Sequence, residues 1–89
     1  MDEFAVILTP EAQNDVLALS DVIQKRILDK LEWIGANAQL IRHQALQGKQ
    51  WEGLYRYRVG DYRLIYQLNV SKHQIVVLKI GHHRDIYKR

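Results

Sequence analysis

The dipeptide Gly60-Asp61 separates two runs, Leu54-Tyr55-Arg56-Tyr57-Arg58-Val59 and Tyr62-Arg63-Leu64-Ile65-Tyr66, in which bulky and basic side chains largely alternate. A two-residue turn between such runs predicts a tight β-hairpin. A loop this short also fixes the register. Val59 then faces Tyr62, Arg58 faces Arg63, Tyr57 faces Leu64, Arg56 faces Ile65 and Tyr55 faces Tyr66. Successive side chains point to opposite faces of a strand, so one face gathers Tyr55, Tyr57, Val59, Tyr62, Leu64 and Tyr66. The other gathers Arg56, Arg58 and Arg63. Placing Arg58 across from Arg63 is locally unfavourable, because like charges repel across a ladder, and no acid on these two strands offsets it. Local rules tend to be broken where function demands it. Guanidiniums on rigid strands offer planar N–H donors to phosphate oxygens. Pairing with carboxylates from elsewhere, or solvation alone, is the competing explanation.

Around this hairpin the chain reads as one domain over residues 1–89. Residues 4–8, Phe-Ala-Val-Ile-Leu, suit a buried strand. Thr9-Pro10-Glu11 supplies an N-cap, a proline for the first helical turn and an acid for the dipole, predicting a helix over residues 10 to about 19. Ser20-Asp21 repeats the start signal, and Ile23, Ile27, Leu31 and Ile34 form one apolar stripe on a second helix that reaches about residue 35. An antiparallel helix pair with one buried side is expected. Residues 36–53 look irregular, and strands are expected at about 54–59, 62–68 and 74–80. The order β-α-α-β-β-β implies an α+β fold, with two N-terminal helices on one face of a mostly antiparallel sheet.

Composition narrows the function. Without cysteine, disulfides and thiolate metal sites are excluded. The start Met1-Asp2-Glu3-Phe4 lacks a basic signal-peptide region, and the apolar runs are far shorter than the roughly 18 residues of a membrane span, so a soluble cytoplasmic protein is expected. Charge is unevenly spread. Residues 1–45 set Lys25, Arg26, Lys30 and Arg42 against seven acids, a net −3, while residues 46–89 set nine Lys/Arg against Glu52, Asp61 and Asp85, a net +6. A basic C-terminal half suggests a polyanion partner.

The final segment, Gly81-His82-His83-Arg84-Asp85-Ile86-Tyr87-Lys88-Arg89, is basic again and can fold back to add Arg84 and Tyr87 to the arginine face. In extended chain His82 and His83 point opposite ways, and other ligands are few, so no metal is expected.

Three stretches together resemble the RelE/ParE toxin superfamily, and most closely its RelE branch. They are Leu46-Gln47-Gly48, the run from Leu54 through Arg56-Tyr57-Arg58-Val59-Gly60-Asp61-Tyr62-Arg63 to Tyr66, and Ile80-Gly81-His82-His83-Arg84-Asp85-Ile86-Tyr87. The resemblance covers nearly the whole chain. It implies a toxin of a type II toxin–antitoxin system, restrained by a cognate antitoxin, that enters the ribosomal decoding site and cuts mRNA there without a cofactor. By the same resemblance Arg63 contacts the scissile phosphate, Arg56 stands at a catalytic basic position, and Tyr87 activates or orients the attacking 2′-hydroxyl. Where relatives carry two basic residues after Gly-His, this chain has His83 and Arg84. Either fills the catalytic basic position, and Arg84 is preferred for its permanent charge. Lys49, Arg58 and Lys88 complete the expected RNA contacts, with Lys49 compensating for Leu54, where some relatives are basic.

The chemistry fits these residue types. Arginines suit stabilisation of charge gathering on phosphorus oxygens. Guanidiniums favour ionisation of a neighbouring tyrosine, and histidine is the side chain that exchanges protons near neutrality. Two alternatives stand beside the nuclease: a ParE-like toxin that poisons DNA gyrase through protein contact, and a non-catalytic RNA-binding module. The second would expose aromatics for base stacking, whereas the hairpin tyrosines here fall on the expected core side.

Overall fold

The computed structural model describes residues 3–86. Strand β1, Ala5–Leu8, gives way at Thr9, whose hydroxyl accepts the Ala12 N–H at 3.2 Å while Pro10 opens helix α1, Pro10–Leu17. Ser20 caps helix α2, Asp21–Ala36, in the same manner through the Ile23 N–H. Both start signals therefore operate as read. Helix α1 stops two residues earlier than expected, at Leu17. The Leu19 carbonyl is taken instead by the Gln24 amide reaching back from α2 at 2.8 Å.

The remaining strands are β2, Gln44–Ala45; β3, Tyr55–Val59; β4, Tyr62–Asn69; and β5, Gln74–His82. They form one sheet in the order β1-β5-β4-β3-β2, with β1 parallel to β5 and every other pair antiparallel. The α+β architecture expected from the sequence is the one found. Each helix packs on the sheet, α1 on β5 and β1, α2 on β1 and β3. One detail differs. Strand β2 lies within the stretch expected to be irregular. Its two residues are both exposed, so no burial pattern announces it; backbone pairing of Gln44 with Arg56 and Ala45 with Tyr55 defines it.

The hairpin register is the expected one at all five positions, from Val59↔Tyr62 to Tyr55↔Tyr66. Gly60 has φ 59°, while Asp61 is not in the left-handed region. That combination suits a type II′ turn, whose first central residue favours glycine. The predicted inner face of the hairpin joins the core. Val59, Leu64 and Tyr66 are buried, Tyr55, Tyr57 and Tyr62 pack against them, and Ala12, Val16, Ile27, Leu31 and Ile34 contribute from the helices. Where β1 ends opposite Val77, side chains at the start of and within α1 finish the β5 edge. Asp15 accepts the Ile80 N–H at 3.0 Å and Thr9 donates to the Leu78 carbonyl at 3.4 Å. No helix of the described residues is long and apolar enough to cross a membrane.

Candidate functional site

With their neighbours buried among the core, Arg56, Arg58 and Arg63 are left on the opposite face of the hairpin. They line a groove of about 420 Å³ together with Arg42, Gln44 and Tyr57. Arg63 is oriented by the turn itself, its Nη1 donating to the carbonyls of Gly60 at 3.0 Å and Tyr62 at 3.1 Å. Arg56 Nε donates to Gln44 Oε1 at 3.4 Å. The ion pairs Lys25–Asp29 and Lys79–Glu11 lie outside the groove, and none of the residues that line it is acidic. Arg58 remains directly across from Arg63. Four guanidiniums around one concavity, Arg56 and Arg63 among them hydrogen-bonded to neutral oxygens, make a site of one sign, which concentrates anions and strengthens charge-assisted hydrogen bonds.

Arg42 and Gln44 were not among the residues singled out in the sequence. Gln44 sits opposite Arg56 and hence on its face, and Arg42 lies two residues before it. The signal was a four-residue alternation, with Ile41 and His43 turned toward the core side and Arg42 and Gln44 exposed. Counted by position in the chain, Arg42 belongs to the acidic half; in space it belongs with the basic one.

The remaining expected residues are placed differently. Lys49 is exposed in a short 3-10 turn, Lys49–Trp51, and does not line the groove. His83 and Arg84 are exposed in the turn that follows β5, also outside the groove lining. The turn is nevertheless tied to the hairpin, because the His83 N–H donates to the Asp61 carbonyl at 2.8 Å. Since the chain bends at His83, the rings of His82 and His83 stack at 4.6 Å instead of pointing apart as extended chain would require. Ile86, 2% exposed, lies over Gly81, where an added Cβ would sit 3.3 Å from its Cδ1. Gly81 is the residue directly across from Arg63. The absence of a side chain there seats the folded-back segment beside the arginine face. Tyr87 and Lys88 lie outside the described residues. Among the described residues no three His, Asp or Glu side chains gather as metal ligands.

The family whose sequence pattern matches residues 6–87 is described as the ParE toxin of type II toxin-antitoxin system, parDE. No curated protein matches the chain. Among solved structures, the toxin–antitoxin complex RelBE2 from Mycobacterium tuberculosis contains a chain that superimposes with a TM-score of 0.82 at 22% identity, over 96% of this chain and 97% of that one. The archaeal RelE–RelB complex from Pyrococcus horikoshii gives 0.75 at 23% identity, over 96% and 99%. The isolated RelE toxin of E. coli gives 0.72 at 18% identity, over 89% and 83%. At such identities these likenesses speak for the fold.

Proposed function

The chain belongs to the RelE/ParE superfamily as a toxin of a type II toxin–antitoxin system, and from that premise we propose that it is an endoribonuclease that cuts mRNA in the ribosomal decoding site. The observation that carries this reading is the groove lined by Arg42, Arg56, Arg58 and Arg63, with no acid in its lining and the last three arginines on paired strands. A site that works only by protein contact has no need to hold like charges against one another without a carboxylate.

In this mechanism the 2′-hydroxyl attacks the adjacent phosphorus. The new P–O2′ bond forms as the P–O5′ bond breaks, leaving a 2′,3′-cyclic phosphate and a 5′-hydroxyl. Arg63 and Arg56 hold the phosphate oxygens as charge builds, and preorganised donors of this kind commonly supply a large part of the rate. Arg58, Lys49 and Lys88 bind the flanking strand. Tyr87 takes the proton from the 2′-hydroxyl, Arg84 steadies the departing O5′ with its permanent charge while water protonates it, and His83 is the competing proton carrier. The ribosome contributes by holding the strand in line for attack, so free RNA is cut poorly. The toxin works in the cytoplasm with ribosomes. Its antitoxin neutralises the open basic face with an acidic, flexible segment that folds upon it.

The test is incubation of the purified toxin with ribosomes programmed with mRNA. Cleavage within the decoding site, lost in Arg63→Ala, supports the reading. Tyr87→Phe then falls by about 10²–10⁴-fold, the range for a positioned acid–base group. Should His83→Gln fall instead, the proton role belongs to His83. The family description favours one second reading, a gyrase-directed toxin. Induced expression separates the two: the nuclease stops amino-acid incorporation first, and the gyrase poison first raises a DNA-damage response.

A further inference from the structure

Arg42 and Gln44 reach the groove on a segment with little regular structure to hold it, because β2 is two exposed residues long. His43, between them, faces the other way. Its Nε2 lies 2.7 Å from the Ala38 carbonyl and its Nδ1 lies 2.6 Å from the Tyr66 hydroxyl. A carbonyl only accepts, so Nε2 carries the hydrogen and Nδ1 is left to accept the Tyr66 O–H. The tyrosine suits that role. Burial first, and then neighbouring Tyr57 and Tyr55, push its hydroxyl well above the ordinary phenol range, so it keeps its proton. The His43 ring also packs edge-on against Tyr55 at 5.9 Å and Tyr66 at 5.7 Å. The imidazole thus bridges the chain just beyond α2 to the middle of β4, beneath the point where Arg42 and Gln44 emerge.

We propose that Arg42 binds a phosphate of the RNA strand in the groove, and that His43, latched to Tyr66 and Ala38, is the positioning residue that holds it there. The inference rests on the reading of the groove as an RNA site. Arg42 lines the same concavity as Arg56, Arg58 and Arg63 and, like them, has no ion-pair partner among the described residues. A long, flexible cation gives a specific contact only if its backbone is fixed. The two hydrogen bonds of His43 fix the backbone one residue away.

The experiment measures two things on full-length toxin: cleavage on programmed ribosomes, and binding of a 2′-O-methyl RNA trinucleotide that lacks the attacking hydroxyl. Arg42→Ala weakens binding by about tenfold, as for loss of one charge-assisted contact, and Arg42→Lys restores part of it. Tyr66→Phe and His43→Ala each weaken binding several-fold, and neither adds much to Arg42→Ala in the double variants. His43→Gln, whose amide can donate to Ala38 and accept from Tyr66, stays near the wild type. If Tyr66→Phe does not fold, the His43→Ala and His43→Gln pair makes the same comparison. Losses that multiply with Arg42→Ala, or an Arg42→Ala protein that binds normally, overturn the inference. A wild type that binds the trinucleotide but cuts nothing on ribosomes sinks the nuclease reading, while the binding series still judges Arg42 and His43. A wild type that does not bind it at all overturns both.

Discussion

Arg63 and Leu64 are adjacent in the chain and belong to opposite worlds. Leu64 is wholly buried beneath the helices, whereas Arg63 opens onto the groove. The same division runs along the hairpin, separating Tyr55, Tyr57 and Val59 from Arg56 and Arg58. One face is selected by burial, with apolar area removed from water driving its assembly. The other buries Ile65, across from Arg56, yet keeps in Arg58 and Arg63 a like-charge pair that folding alone would discard. Because a strand alternates, the packed face makes the charged face rigid. Stability and chemistry are thus written into alternate letters of the same dozen residues.

Substitutions on each side break that comparison in different currencies. The largest effect is expected for Arg63→Ala, with ribosome-dependent cleavage down by about 10²–10³-fold, as when one transition-state donor is removed. Its thermal unfolding should barely move, since losing the bonds to the Gly60 and Tyr62 carbonyls is offset by relief from Arg58. A melting point that collapses with the activity would make Arg63 structural. Leu64→Ala should do the reverse, costing about 2–5 kcal/mol of stability. At about 4–8 °C per kcal/mol for a domain of this size, calorimetry will see it easily, and the fraction still folded should cut at the normal rate. Gly60→Ala tests the joint between the faces. A left-handed φ of 59° and the Arg26 guanidinium 3.0 Å from the new methyl predict a loss of about 1–2 kcal/mol, read by chemical denaturation. The smallest effect is expected for Arg58→Ala, which should raise stability by about 0.2–1 kcal/mol by removing the cross-strand repulsion. It should weaken RNA binding at the same time. An Arg58→Ala protein that is less stable would show that the pair is relieved in a way the groove geometry does not suggest.

The hairpin was legible in the sequence because a short turn and a period of two leave one register. The helix starts were legible because Thr9, Pro10 and Ser20 act locally. What escaped depends on contacts distant in the chain. Strand β2 has no pattern of its own and exists through its pairing with β3. Arg42 joins the groove through a histidine whose partner lies 23 residues further on. The stacking of His82 on His83 follows from a bend stabilised by Asp61, which no reading of adjacent residues supplies. Arg56, Arg58 and Arg63 were found by alternation and stand together; Lys49 and His83, from the resemblance, and Arg84, from the basic tail, lie outside the groove lining.

The position of β5 between β1 and β4 has a consequence for biosynthesis. Ala5 pairs with Gln74 and Leu8 with Val77, so β1 has no neighbour in the sheet until β5 has been made. Pairings of such sequence separation close late, because the entropy of closing the loop is lost before any contact repays it. While the chain is still being synthesised, α1 has neither β5 beneath it nor a finished sheet edge to cover. The segment anchored at Gly81 and Ile86, which lies beside Arg63, is later still. A ribosome making this protein therefore holds an unfinished nascent chain, in which the strand that carries Arg63 lacks its inner neighbour until β5 has been made.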